Sequence, residues 1–183
     1  AGKLDSSLIY LLHAAELYEK LENTAGLASC YDNIANLLDD LGWFDDAIRY
    51  NLESIEMHRL LEDTIALATS LFNLAERYQN TGKLEKAVAL CYQALPLFQD
   101  AGDWDGESLL YNFLGNVYSK QKKYKTAESY YLKCIELHQI NNDSTPTTLI
   151  PVLLNISRLK AEMGKAGEAV SFISQAARLQ SQS

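Results

Sequence analysis

Apolar and polar positions alternate along this chain with the spacing of a helix. Tyr31, Ile34, Ala35 and Leu38 form one apolar stripe, and Leu71, Leu74, Ala75 and Tyr78 form another. Each stripe stops at a short break, Leu41-Gly42-Trp43, Thr81-Gly82-Lys83 and Met163-Gly164-Lys165, where glycine can take the left-handed conformation that ends a helix. A second helix is predicted after each break. It carries Ala47, Ile48, Tyr50 and Leu52 in the first instance, Ala87, Val88, Cys91 and Ala94 in the second, and Ala127, Tyr130, Tyr131 and Cys134 in the third. Small residues at matching places let paired helices approach closely.

These elements repeat. Gly42, Gly82, Lys122 and Gly164 stand forty, forty and forty-two residues apart, and each is followed five residues later by an alanine: Ala47, Ala87, Ala127 and Ala169. A period of this length marks a stack of helix pairs, in which no unit can bury its apolar stripe without a neighbour. The breaks between units are more polar: Glu62-Asp63-Thr64, Ala101-Gly102-Asp103, and Asn141 to Pro146, where the two-residue insertion falls and where proline should open the next helix or lie just before it. The opening segment matches only the second half of a unit, because Ala14 to Tyr18 aligns with Ser54 to His58. The expected fold is all-α with about nine helices in a single array: an unpaired second helix at 6–22, then repeats at 25–62, 65–101, 105–141 and 147–180. Two readings of the half-unit stay open, a piece of a longer array or a capping helix; Leu8, Ile9, Leu11 and Leu12 look too apolar for a solvated cap.

Composition changes the picture in a few respects. With 48% hydrophobic and 22% charged residues the chain is globular rather than disordered. Its apolar stretches are too short to span a bilayer and its start has no basic segment leading into an apolar core, so a soluble, cytoplasmic protein with no membrane contact is expected. Cys30, Cys91 and Cys134 are odd in number and lack C-x-x-C spacing, which points to buried thiols rather than disulfides or zinc. The net charge of −8 argues against nucleic acid as a partner. The acidity is concentrated, since residues 27–66 hold nine acidic side chains against two basic ones.

The helix-turn-helix unit resembles the tetratricopeptide repeat. The family's small residue on the first helix matches Ala35, Ala75, Gly115 and Ser157, and its alanine on the second helix matches Ala47, Ala87, Ala127 and Ala169. The sequence departs from the pattern at Lys122, which replaces the turn glycine, at Lys160, which takes the usual tyrosine place, and in lacking the family's proline after the second helix. Forty-residue units and the runs Asn33-Ile34-Ala35-Asn36 and Asn73-Leu74-Ala75-Glu76 resemble the longer repeats of the Pins and LGN scaffolds and of kinesin light chain. The resemblance implies a right-handed superhelical α-solenoid of antiparallel helix pairs, without cofactor or catalytic site, whose first helices line a concave groove for a peptide or helix of a partner protein.

Carried over residue by residue, that groove would show Asp32, Asn33, Asn36 and Asp39, then Phe72, Asn73 and Glu76, then Asn112, Phe113, Asn116 and Lys120, and finally Asn155 and Arg158. Asparagine suits such a face because its amide both donates to and accepts from a peptide backbone. The alternative is that these asparagines bond between repeats. The acids of the first repeat would repel a carboxylate and favour a ligand with basic residues at that end, unless they are simply a solvated face. A regulatory variant, in which a signalling peptide alters an attached output domain, stays open, as does self-association through the terminal helix. No histidine stands in a cluster with metal-ligand spacing, and His58 and His138 share one repeat position, which points to structure. The tyrosines read as filling between helices, and Trp43 and Trp104 as turn residues that staple helix ends.

Overall fold

A computed structural model describes residues 2–141 and 146–181. Nine helices account for nearly all of them: α1 (Gly2–Lys20), α2 (Thr24–Asp40), α3 (Phe44–Leu60), α4 (Thr64–Asn80), α5 (Leu84–Ala101), α6 (Trp104–Lys120), α7 (Tyr124–Ile140), α8 (Pro146–Glu162) and α9 (Ala166–Gln180). There is no strand among the described residues. The insertion expected between Asn141 and Pro146 lies outside the described residues, and α8 opens at Pro146. Two compact units are present, Ala1–Gly102 and Asp103–Ser183.

In the first unit α2 pairs with α3 and α4 with α5, while α1 packs on α2 and α3 on α4. Ala28, Ala35, Ala47, Ala68, Ala75 and Ala87 are fully buried at these crossings, so a larger side chain would force the helices apart. α1 joins through Leu8, Leu11, Ala14, Ala15 and Tyr18 against Cys30, Ile34 and Leu38. Ile9, Tyr10 and Leu17 of α1 are exposed, as is Leu21 just past its end. In the second unit α6 pairs with α7 and α8 with α9, and α7 packs on α8. Leu110, Leu114, Val117, Tyr131, Leu153, Ile156 and Leu159 form its interior.

The two kinds of turn are built differently. Within a pair the chain reverses through a left-handed residue: Gly42, Gly82 and Gly164 have φ of 79, 75 and 75°, and Lys122 takes the same conformation at 59°. The residue just before the second helix is Trp43, Lys83, Lys123 or Lys165, none of which caps it with a side chain. Between pairs, Glu22, Glu62 and Gly102 are the left-handed residues, and Asn23, Asp63 and Asp103 cap the next helix. The backbone N–H groups of Gly26, Ala66 and Gly106 donate to those caps at 2.9, 3.1 and 3.0 Å. α1 begins at Gly2 and ends at Lys20, four residues before the start and two before the end expected from the sequence.

Candidate functional site

Seven polar side chains of α2, α3 and α4 join in a network inside the first unit. The hydroxyls of Ser54 and Ser70 donate to Asp32 Oδ1 at 2.6 and 2.9 Å, and His58 Nε2 lies 2.8 Å from Asp32 Oδ2. Arg77, only 2% exposed, donates from Nη1 to Asn51 Oδ1 at 2.9 Å and from Nη2 to Asn36 Oδ1 at 2.7 Å. The amide of Asn51 in turn donates to the Ser70 carbonyl at 3.1 Å. Burial pulls the Arg77 guanidinium below its ordinary value, and the fields of Asp39 and Asp32 oppose that shift and keep the cation in place. His58 Nδ1, Arg77 Nε and one Asp39 oxygen are buried without a hydrogen-bond partner.

This network engages several residues of the groove expected from the sequence. Both oxygens of Asp32 are engaged by α3 and α4. Asn36 is exposed but its carbonyl oxygen is taken by Arg77. Asp39 is half-buried, so the acidity of the first repeat is in part internal and serves Arg77. Asn33 is exposed and Asn73 half-buried at equivalent places on α2 and α4, and neither amide makes a side-chain hydrogen bond among the described residues. Glu76 is exposed and Phe72 half-buried on the same helix as Asn73.

In the second unit, Asn155 donates to Asn112 Oδ1 at 3.1 Å and Arg158 donates to Asn155 Oδ1 at 3.1 Å, so these residues link α6 to α8. Asn116 accepts from the Tyr131 hydroxyl at 2.7 Å, and burial pushes that phenol up to about 12. Phe113 is buried and belongs to the interior rather than to a groove, whereas Lys120 is exposed. A cavity of about 390 Å³ opens beside Leu109 and Asn112 of α6 and Pro151 and Val152 of α8. Its floor is Ser108, with Oγ 2.9 Å from His138 Nε2 and 3.1 Å from Cys134 Sγ. Burial raises the Cys134 thiol, which keeps it protonated and poorly nucleophilic at neutral pH. Cys30 and Cys91 are also buried.

Trp104 opens α6 rather than sitting in a turn, and its ring meets His138 edge-on with centroids 5.6 Å apart. Trp43 is 53% exposed. His58 and His138, which share one repeat position, are both buried, and each imidazole is bonded to a polar partner on the preceding helix, Asp32 of α2 and Ser108 of α6. A further buried charge is Lys160 of α8, which donates to Glu128 of α7 and Glu168 of α9. Burial opposes its charge, but the two carboxylates outweigh that effect and hold the ammonium above its ordinary value.

Arg77, Asn51 and the serines escape a reading of the apolar pattern alone. One signal was available: Arg77 stands where the other repeats have Leu37, Val117 and Leu159, and Asn51 where they have Cys91 and Tyr131. Among the described residues no group of three or more His, Cys, Asp or Glu is placed to hold a metal ion, and no helix is long and apolar enough to cross a membrane.

Two models of the tetratricopeptide repeat match the chain, at residues 27–62 and 65–140, and together they span more than half of it. A comparison with curated protein sequences finds no match. Among solved structures, BtubC (BKLC) from P. vanneervenii superposes with a TM-score of 0.90 at 21% identity, over 99% of this chain and 74% of that one. A putative kinesin light chain with TPR-like repeats from Podosopora anserina gives 0.79 at 14% identity, over 99% and 89%. A signal transduction ATPase with a tetratricopeptide repeat sensor from Pyrococcus horikoshii gives 0.79 at 16% identity, over 94% of this chain and 26% of that one. At these identities the likeness is one of fold, and it extends the repeat beyond the two matched segments. With its helix pairs, left-handed turns and buried alanines at the family's positions, the chain belongs to the tetratricopeptide repeat family.

Proposed function

We propose that this protein is a non-enzymatic scaffold that binds an extended peptide or helix of a partner protein along the face of its first helices, α2, α4, α6 and α8. The observation that carries the reading is the pair Asn33 and Asn73, forty residues apart on α2 and α4, whose amides make no side-chain hydrogen bond among the described residues. Asparagine is a poor residue for a helix interior, and an amide with both capacities uncommitted can hold a peptide backbone whatever its sequence. Asn36, Asn112, Asn116 and Asn155 are engaged within the protein and shape the face instead. The cavity beside Leu109 and Asn112 supplies an apolar recess on the corresponding helices of the second unit.

The single array is part of this proposal. The forty-residue register runs without interruption through Asp103, which caps α6 as Asn23 and Asp63 cap α2 and α4. A second reading, a peptide-sensing module that controls an output domain, is favoured by the likeness to an ATPase whose tetratricopeptide repeat is named as its sensor and of which this chain spans about a quarter. A pull-down with the wild type beside Asn33→Ala/Asn73→Ala tests the face. Both side chains lie outside the hydrogen-bonded network, so the variant should keep its helical circular dichroism and lose the partners. Recovery of the same partners by both proteins would remove the face as the site.

A further inference from the structure

The turn between α2 and α3 differs from its counterparts in what it does with aromatic rings. In the second and third repeats the residue opening the second helix is a lysine whose ammonium lies over a tyrosine of the first helix: Lys83 is 5.7 Å from the Tyr78 ring centroid and Lys123 is 5.6 Å from that of Tyr118. In the first repeat both places change. The tyrosine position is Leu38, which is buried, and the lysine position is Trp43. The ring has moved to the outside and no lysine or arginine of this chain is found over it among the described residues.

Trp43 is 53% exposed and Phe44 beside it 38% exposed. With Gly42, Asp45, Asp46 and Thr81 they line an open hollow of about 670 Å³ on the first unit. The two carboxylates alone carry no inference, because acids in the first turn of α3 are favoured by the helix dipole. Asp46 also meets Arg49 at 3.5 Å, a solvent-exposed pair. The rings have no such explanation: a tryptophan and a phenylalanine left in water at a helix start, next to Asp45, which has no ion-pair partner among the described residues, mark a surface that something covers. An apolar patch alone would suit an aliphatic side chain, and acids alone would suit any cation. Ring faces with a carboxylate beside them suit a cation that also has an apolar stem, which is the chemistry of lysine and arginine.

We infer that the hollow at Trp43, Phe44, Asp45 and Asp46 docks a lysine or arginine side chain from a basic segment of a partner protein, with the stem on the rings and the charge toward Asp45. This site is separate from the first-helix face, and it moves the contact with basic residues from Asp32 and Asp39, which are committed internally, to the edge where acid and aromatic surface are both open.

The test uses Trp43 as its own reporter. In a Trp104→Phe background Trp43 is the only tryptophan, and its emission is followed while a synthetic peptide of lysine, glycine and serine is added, with a glutamate counterpart as control. The lysine peptide should change the emission saturably and lose its effect in high salt, and the glutamate peptide should do nothing. Calorimetry on otherwise wild-type protein should show Trp43→Ala and Asp45→Asn each weakening the lysine peptide by about two- to fivefold, the size of one exposed cation–ring contact or one surface ion pair. Both positions are exposed, so folding is checked simply by circular dichroism. Unchanged affinity in both variants, or an equal response to the glutamate peptide, overturns the proposal. Salt-sensitive self-association that Trp43→Ala abolishes, seen without peptide, overturns the assignment of a separate partner in favour of a second copy. Asn33→Ala/Asn73→Ala leaves this binding intact, so failure here and failure of the first-helix face are read apart.

Discussion

At the scale of single residues, repeat positions vary in correlated sets, and the best defined is Gly115 with Tyr131. A Cβ added to Gly115 would stand 2.5 Å from the Tyr131 ring, a distance that requires the ring or its helix to shift. Forty residues earlier the same two places hold Ala75 and Cys91, a larger residue with a smaller one. Gly115→Ala should therefore destabilise the protein despite the better helix former, because overpacking costs about 1–3 kcal/mol against a helix gain of about 0.5–1. Thermal unfolding should show Gly115→Ala/Tyr131→Cys recovering part of the loss, a favourable coupling in a double-mutant cycle. Gly167→Ala, with nothing within 4 Å of the added carbon, serves as the control that does not lower stability. The small residue at Gly115 was legible in the sequence as a family position. Its reason was not, because Tyr131 is sixteen residues away in an apparently ordinary stripe and only the pairing of α6 with α7 brings the two together.

Helices and turns were the most legible level, for a physical reason: each is fixed by residues close in sequence. The glycine turns, the alanine crossings and the apolar stripes are local signals, and so, in retrospect, are the caps Asn23, Asp63 and Asp103. What the pattern could not show is where polar residues on one helix find partners on the next. Lys160 stood out as a departure from the tyrosine position, but its carboxylates come from α7 and α9, thirty-two residues before it and eight after. That triad makes stability depend on pH. Glu168 is held below its ordinary 4.5 by hydrogen bonds from Lys160 and Lys165, so its contribution is present above 4.5 and disappears as pH falls through the lowered value. Lys160 is held above its ordinary 10.5, so its contribution is present below 10.5 and disappears as pH rises through the raised value. Thermal unfolding of wild type and Lys160→Met across pH should accordingly differ most between about pH 5 and 10, with the gap narrowing outside that window. A gap that does not change with pH would show that Lys160 acts through its packing alone.

Across the whole molecule, the distribution of charge has a meaning that the linear sequence conceals. The acidic first repeat reads as a surface facing a ligand, but Asp32 is bonded to Ser54, Ser70 and His58, and Asp39 helps to hold the Arg77 cation in its buried place. Arg77 thus acts as a tie among α2, α3 and α4, at a position where the other repeats use leucine or valine. Replacing it with that leucine is a fair test, since the volume is the one the repeat tolerates and only the polar links are lost. Arg77→Leu leaves the Asn36 and Asn51 oxygens without their donor and the acids without their cation, at a cost of about 3 kcal/mol. Hydrogen exchange locates the loss. Protection should fall most in residues 24–80, where the network lies. If the forty-residue register that runs through Asp103 makes the chain one cooperative array, the loss should extend, smaller with each repeat, into residues 104–181, because stability in a stack is shared through nearest neighbours. A loss that ends at Gly102 would instead show that the two compact units unfold independently, and the single-array proposal would fall with it.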